Sequence, residues 1–473
     1  MSPGSHTKVL SCTSLLLVAA LGFGGWALWG DGGASGLPHS GLRQETVEKA
    51  PRDPAGRQLF TLDAPELKKQ GTGASTPGSW ATATSYVKTG YGSITAYAAS
   101  SGKRLWNLSL TGDVCSATED VTPEGLTAVV VRDYLNEEPH NNSDCNRLLV
   151  FDIDSGRKIW ETALPKNKAR FSTPDVHIGK GIVGVTWFKG SVAYPITGGE
   201  ALWSKGAAQC SYEMRLGGGR ELIASGRGCV QKHSRRAIWK VDPRTGEPEW
   251  TYKVPKKYWT WQVLSTDPVV VAVGEGDSND DHEDTLMTHV LTLDQHGRLR
   301  ATIPLSEDHD LYYWDSRRHQ HVVTRDTLYL PRNGVLRDEH AGAVVAFDLA
   351  TGEVKKSYPA EGDRSLIPLR MSGERLLTLQ IDDWSGSKTA TKVFSIDPAT
   401  GRRTLMLAAE SADQEIRSLM VLDDPTVVFE HGRLYFGRSR VIGPRKGIRT
   451  IGSDRRTPGA PAERHLGVAF GTG

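Results

Sequence analysis

A short pattern returns along most of the chain, and it constrains the fold more than any other feature. Each copy has an alternating apolar segment, usually an Asp, and a short turn that ends in Gly; in four copies a Trp stands four positions after the Gly. The copies are Ile94–Trp106, Leu149–Trp160, Val192–Trp203, Trp239–Trp250, Leu291–Gly297, Val345–Gly352 and Val393–Gly401. A truncated first copy, Gly56–Phe60, keeps the turn Gly and the aromatic residue. Successive turn glycines are 46, 54, 43, 47, 51, 55 and 49 residues apart, which predicts a repeat architecture.

Each copy predicts a β-hairpin, because an Asp or Thr side chain can bind backbone N–H groups of a turn in which Gly takes a positive φ. The alternation on either side of the turn predicts half-buried strands. A period near 50 residues leaves room for about four strands, which make one blade of a β-propeller. Only neighbouring blades can cover the two apolar faces of a blade. We therefore expect the tryptophans to fill the gaps between blades; they are Trp106, Trp160, Trp203 and Trp250.

The pattern resembles the pyrroloquinoline-quinone-type (PQQ-like) β-propeller repeat, Ala/Val-x-Asp-x-x-Thr-Gly-x-x-x-Trp. The copies most similar to it are Val150–Trp160, Lys240–Trp250 and Ala346–Gly352, and the resemblance covers roughly residues 56–440. It implies an all-β propeller fold and says little about function. It also implies that active members, the quinone-dependent dehydrogenases, carry a disulfide between adjacent cysteines, a bound calcium and a catalytic Asp. No two cysteines are adjacent here, so we predict no catalytic, cofactor-binding or metal-binding residues and no cofactor.

Eight turn glycines predict about eight four-stranded blades, with seven as the alternative because two copies are degenerate. The strand at Gly56–Phe60 is expected to complete a last blade begun by Thr426–Glu430 and Arg433–Gly437, which closes the ring and removes open sheet edges. This places the propeller at residues 56–452, after a linker at 31–55. The composition of residues 453–473 predicts a disordered tail.

The N-terminus contains a stretch without charge between Lys8 and Asp31, long enough for a transmembrane helix. Residues 1–30 therefore predict a cytoplasmic stub and a membrane anchor. The alternative is a signal peptide cleaved near Gly32–Ala34, followed by secretion. Both interpretations place the propeller on the extracytoplasmic side of the cell membrane.

The remaining cysteines agree with an oxidising compartment. Apart from Cys12 they are an even set, and their positions within the repeats predict the disulfides Cys115–Cys145 and Cys210–Cys229. The formal net charge of +2 does not favour a nucleic-acid partner.

Two aromatic clusters are candidates for a partner surface, because aromatic residues beside Arg are typical of binding hot spots. The first consists of Tyr258, Trp259 and Trp261, and the second of Tyr312, Tyr313 and Trp314. Core packing explains them equally well. The acidic segment Glu275–Asp284 could offer carboxylates to calcium, but it lacks the spacing of an EF-type loop, which favours a solvated connection.

Together these features predict a membrane-tethered, extracytoplasmic propeller that acts as a binding scaffold for an envelope protein or a glycan, and that is not an enzyme. Two alternatives stay open: a PQQ-dependent dehydrogenase, and a sensor ectodomain for a small ligand or glycan.

Overall fold

The turns of the repeat have the hydrogen bonds that the sequence predicts. The Asp348 carboxylate accepts the backbone N–H groups of Ala350 at 2.7 Å and Thr351 at 3.0 Å. Gly352, with a φ of 80°, donates its N–H to the Asp348 carbonyl at 2.8 Å. Asp242 and Asp397 bind their own turns in the same way, so these carboxylates serve local structure.

The computed structural model describes residues 41–472 with some gaps. The gaps are residues 45, 68–72, 133–144, 166–173, 188–189, 207–213, 231–232, 276–286, 306–320, 333–341, 363, 382–388, 422–424 and 445–462. No helix in the described part of the chain has the length and hydropathy needed to span a membrane, and the predicted anchor, residues 1–30, lies outside that part.

The strands follow in chain order, beginning with β1 (Gly56–Asp63) and β2 (Gly73–Ser75). Blade 1 contains β3 (Ser79–Ala81), β4 (Ser85–Gly90), β5 (Ser93–Ala98) and β6 (Arg104–Ser109). Blade 2 contains β7 (Val114–Ala117), β8 (Leu126–Arg132), β9 (Cys145–Asp152) and β10 (Lys158–Ala163). Blade 3 contains β11 (Asp175–Gly179), β12 (Ile182–Trp187), β13 (Gly190–Pro195) and β14 (Trp203–Gly206). Blade 4 contains β15 (Arg215–Gly217), β16 (Ile223–Val230), β17 (His233–Val241) and β18 (Pro248–Lys253).

The second half of the ring repeats this order. Blade 5 contains β19 (Tyr258–Thr266), β20 (Val269–Glu275), β21 (His289–Leu293) and β22 (Leu299–Pro304). Blade 6 contains β23 (Val322–Val323), β24 (Thr327–Arg332), β25 (Ala343–Asp348) and β26 (Val354–Pro359). Blade 7 contains β27 (Ser365–Ser372), β28 (Arg375–Ile381), β29 (Thr389–Ile396) and β30 (Arg403–Ser411), and helix α1 (Gln414–Val421) follows it. The last strands are β31 (Pro425–Glu430), β32 (Arg433–Arg438), β33 (Arg440–Ile442) and β34 (His465–Thr472).

Blade 8 is built from both ends of the chain, in the order β31, β32, β34 and β1, all antiparallel. The prediction that Gly56–Phe60 completes the last blade is therefore confirmed, and the ring has eight four-stranded blades. The predicted disordered tail is wrong for His465–Thr472. Phe470 and Val468 of β34 are buried in the core shared with blade 7, whereas small residues alternate with them. The segment is ordered because this apolar alternation fills a place in the sheet.

The propeller has two faces that differ in their connections. On the turn face, short turns join the first strand of a blade to the second and the third to the fourth. On the connection face, segments join the second strand to the third and each blade to the next. A backbone bond from Ile153 N to Gly125 O, at 2.8 Å, joins the two turns of blade 2 on the turn face.

Five of the eight blade interfaces repeat one contact between an aromatic ring and a glycine in a turn of the next blade. Trp203 of blade 3 is 8 % exposed, and its indole N–H donates to the Pro243 carbonyl of blade 4 at 3.1 Å. Gly246, with a φ of 71°, lies against this ring, and a Cβ there would approach Trp203 Cδ2 to 2.6 Å. The same contact is made by the pairs Phe60–Gly102, Trp106–Gly156, Trp160–Gly198 and Trp250–Gly297. The expectation that the tryptophans fill gaps between blades is thus confirmed.

The interface between blades 8 and 1 adds buried polar groups. Tyr86 and Tyr435 stack with ring centroids 4.4 Å apart, and burial raises the pKa of Tyr86. Lys88 is fully buried, and its ammonium group donates to the carbonyls of Thr76 and, at 3.0 Å, of Gly78. Buried polar groups need partners of this kind, and Lys88 finds them in the segment that leads into β3.

Candidate functional site

The connection-face end of blade 5 brings together part of the predicted partner surface. Lys257 directly precedes β19, which begins at Tyr258, while Glu275 ends β20 and His289 begins β21. Since Tyr258 pairs with Glu275 across the ladder, these side chains meet. The Lys257 ammonium lies 4.6 Å from the centre of the Tyr258 ring and 3.0 Å from a Glu275 carboxylate oxygen. The His289 ring centre lies 4.8 Å from that of Tyr258.

Lys257, Glu275 and His289 affect one another's electrostatics. Hydrogen bonds to Tyr258 and then to Glu275 raise the pKa of Lys257. Burial lowers the pKa of His289, although the Glu275 carboxylate opposes this effect. The lowered pKa keeps the His289 imidazole neutral at neutral pH, beside the ion pair of Lys257 and Glu275.

The burial of Tyr258 favours core packing, the alternative that the sequence left open for this residue. Its ring is 5 % exposed and packs among Val254, Val271 and Val273. Trp259 is half-buried and packs on Ala272. The side chain of Trp261 and the cluster Tyr312, Tyr313 and Trp314 lie outside the described residues, as do residues 276–284 of the acidic segment.

One predicted disulfide is present. Cys115 on β7 is bonded to Cys145 on β9, with their Cα atoms 6.1 Å apart, so the bond joins the first and third strands of blade 2. The side chains of Cys210 and Cys229 lie outside the described residues. That pairing stays a prediction.

The turn face carries a segment that sequence analysis assigned to a linker. That assignment is wrong from Leu42 onward, because Leu42 packs on the core of blades 2 and 3. Arg43 donates its backbone N–H to the Val121 carbonyl at 2.7 Å, and its guanidinium lies 2.6 Å from an Asp154 carboxylate oxygen. We call residues 41–54 the N-terminal strap, since they cross from blade 2 to blades 7 and 8.

The far end of the strap is fixed by a cluster of charged side chains with low exposure. One Arg370 Nη2 atom lies 2.8 Å from Glu48 Oε1 and 2.7 Å from Glu430 Oε2. The side chains of Glu48 and Arg370 are 4 % and 12 % exposed. Sequence analysis missed this cluster, because Glu48 stands more than 300 positions from Arg370 and Glu430 and no repeat or spacing connects them.

The described residues do not fit the quinone and calcium that the repeat implies for active members. The bonded cysteines stand 30 positions apart, so they cannot form a platform of adjacent residues. Within the described ranges no group of three His, Cys, Asp or Glu side chains is arranged to hold a metal ion. We therefore derive no reaction step through either group.

The family of the chain follows from its sequence. Residues 43–205 and 188–366 match a family model described as outer membrane protein assembly factor BamB, and together the matches span more than half of the chain. This chain belongs to that family. The resemblance to the PQQ-type repeat is confirmed. No curated protein sequence matches the chain significantly.

Three solved structures are similar to the chain at low sequence identity. BamB from Moraxella catarrhalis is 15 % identical, with a TM-score of 0.44, over 81 % of this chain and 97 % of that one. A quinohemoprotein alcohol dehydrogenase from Pseudomonas putida is 11 % identical, with a TM-score of 0.49, over 92 % and 78 %. The WD40 domain of SCAP from fission yeast is 7 % identical, with a TM-score of 0.47, over 88 % and 97 %.

Proposed function

We propose that this protein is a membrane-tethered, extracytoplasmic β-propeller that acts as a binding scaffold in the cell envelope. The observation that carries the proposal is the match of residues 43–366 to the family model of an outer membrane protein assembly factor. By this analogy the partner is an envelope protein, with a glycan as the alternative ligand.

The location is supported by two features of the chain. The Cys115–Cys145 bond is of the kind that persists in oxidising compartments outside the cytoplasm. The uncharged stretch between Lys8 and Asp31 provides a tether of sufficient length.

Binding rather than chemistry is supported by how the repeat uses its polar side chains. The turn carboxylates, such as Asp348, accept backbone N–H groups of their own turns. The tryptophans, such as Trp203, direct their indole N–H groups to the next blade. The strap covers part of the turn face, so we place the partner on the connection face, where loops on a rigid scaffold commonly carry recognition.

Carbonate washing of membranes tests the tether. We expect the intact protein, beginning at or near Met1, to stay in the pellet. A soluble form beginning near Ser35 would instead show that residues 1–30 are a cleaved signal.

Quinone chemistry is tested separately with the purified ectodomain. We expect no dye reduction with any alcohol or sugar after addition of PQQ and calcium, because such oxidation requires a Lewis acid, a base and a stacked platform for the ring. Turnover would overturn the binding proposal in favour of a dehydrogenase.

The partner surface is tested by replacing Tyr313 and Trp314 with Ala. We expect crosslinked partner recovery from intact membranes to fall while the melting temperature stays nearly unchanged. A large loss of stability would assign those rings to the core.

A further inference from the structure

The cluster that holds the strap is organised by groups outside the strap. Arg370 Nε donates to the Phe429 carbonyl at 3.1 Å, and Nη1 donates to the Met371 carbonyl at 3.0 Å. The Glu430 carboxylate pairs with the same guanidinium. The guanidinium is therefore oriented by blades 7 and 8 and is paired even without Glu48, which makes it a preformed donor group for a second carboxylate.

Two consecutive backbone N–H groups are further donors to the same carboxylate. His431 and Gly432 form the turn between β31 and β32 with φ angles of 51° and 68°. Their N–H groups donate to Glu48 Oε1 at 2.7 Å and Oε2 at 2.9 Å. Successive N–H groups aimed at one anion are a recurrent anion-binding arrangement in turns. Each oxygen of the Glu48 carboxylate thus has a backbone donor, and Oε1 has the guanidinium as well.

The propeller binds the backbone of the strap as well as the Glu48 side chain. Thr46 donates its N–H to Glu430 Oε1 at 3.1 Å, and its carbonyl accepts from Arg370 Nη1 at 2.8 Å. Glu48 donates its N–H to Ser372 Oγ at 2.7 Å. Val47 between them is 65 % exposed, so the site contacts the first and third residues and leaves the middle one free.

We propose that Arg370, Ser372, Glu430, His431 and Gly432 form a peptide-binding site for an extended segment with a glutamate, and that the chain fills this site with its own residues 46–48. A glutamate-bearing segment of another molecule binds the same site once the strap is displaced. This inference does not rest on the proposed envelope function, because it needs neither the tether nor a partner on the connection face.

The connection of the strap to the propeller explains why the site is closed in the resting chain. Beyond Glu48, the Pro54 carbonyl accepts the Ala408 N–H of blade 7 at 2.8 Å, so the strap is fixed close to the site that it fills. A short connection of this kind gives an effective concentration on the order of millimolar. A free peptide at micromolar concentration therefore does not displace the strap from the wild-type chain.

The test uses the full chain and a labelled peptide with the sequence of residues 41–50. Glu48→Arg places a second guanidinium beside Arg370 and expels the strap, which hydrogen exchange of residues 41–53 reports as loss of protection. Fluorescence anisotropy then measures peptide binding to the wild type, to Glu48→Arg, and to Glu353→Arg, which changes the charge equally at an exposed turn of blade 6.

We expect the peptide to bind Glu48→Arg about tenfold or more tightly than it binds the wild type or Glu353→Arg. A peptide with Gln at position 48 should lose about tenfold in affinity, since a charge-assisted bond contributes this much. Adding Arg370→Met should abolish binding, and Arg370→Lys should restore part of it because it keeps the charge without the planar fork.

Three results would overturn the proposal. They are continued protection of the strap in Glu48→Arg, no peptide binding after the strap has been released, and equal binding with Arg370 or Met at position 370. Sedimentation at high protein concentration separates the sources of a ligand in trans. Wild-type dimers that Arg370→Lys weakens identify the strap of a second copy, whereas monomers at every concentration exclude that source.

Discussion

The blades built from consecutive strands and the blade built from the two chain ends solve the same packing problem in different ways. Blades 1–7 each use four strands that follow one another, whereas blade 8 combines β31, β32 and β34 with β1. The aromatic ring against the turn Gly is the same in both, since Phe60 lies on Gly102 as Trp203 lies on Gly246. Blade 8 differs in depending on pairing between the two chain ends. Contacts between consecutive strands thus form blades 1–7, whereas contacts between the two ends of the chain close the ring.

The largest loss of stability is expected from a charge introduced into β34, the strand that pairs with β1 in blade 8. Phe470 is fully buried and packs edge-on against Phe436, with ring centroids 6.4 Å apart. Phe470→Asp should destabilise the fold by more than about 4 kcal/mol, because it removes the ring and buries a charge. Thermal unfolding measures this, with Thr472→Asp at the half-buried end of the same strand as the control. Similar melting of the two variants would contradict the role of β34 in closure.

Replacing a tryptophan of an internal blade should lower the free energy of unfolding slightly less. Trp203→Ala removes a ring that is 8 % exposed and should cost about 3–5 kcal/mol, which denaturant unfolding measures. Val354→Ala on the outer strand of blade 6 is the control, since Val354 is 59 % exposed and its loss should be nearly neutral. A loss below that range would indicate that the ring is not a main contact between blades.

Much of the fold could be predicted from the sequence, and the features that could not be predicted share a physical cause. Turn residues such as Asp348 and rings such as Trp203 recur at a fixed spacing, so the hairpins, the blade interfaces and the closure by Gly56–Phe60 were all predictable. β34 has no turn Asp or Trp, and only the alternation of Leu466, Val468 and Phe470 with small residues indicated a strand. The site around Arg370 could not be predicted, because it joins side chains far apart in sequence through contacts that no pattern encodes.

Removing the disulfide of blade 2 should cause an intermediate loss of stability. Replacing Cys115 and Cys145 together with Ser should lower the free energy of unfolding by about 2–4 kcal/mol, since the bond restricts the unfolded chain. The double variant avoids the use of reductant, which would also break the predicted bond between Cys210 and Cys229. Non-reducing peptide mapping of the wild type should join the latter two, and a link from Cys115 to either would contradict the predicted pairing.

The smallest loss of stability is expected from replacing a turn carboxylate, and this loss depends on pH. Backbone N–H groups of Ala350 and Thr351 hold the pKa of Asp348 below its usual value, and similar bonds lower the pKa of Asp294 to about 2. A carboxylate with a depressed pKa stabilises the fold above its unfolded pKa of about 3.9 and loses this contribution as pH falls through the folded value.

Asp348→Asn should therefore cost less than about 1 kcal/mol at neutral pH, and the difference from wild type should shrink towards pH 2. Unfolding curves across this pH range measure the difference, with Glu353→Gln in the same turn as the control. A difference that grows in acid would contradict the assigned sign.

The central claim, that the protein binds its partner through the connection face, is tested most directly by placing a photo-crosslinking amino acid at the two ends of one blade. Lys256 is exposed at the connection-face end of blade 5, and Gln295 is exposed in its turn on the opposite face. After irradiation of intact cells, the account predicts a discrete adduct from position 256 and none from position 295. Adducts from position 295 alone, or in equal yield from both, would contradict it.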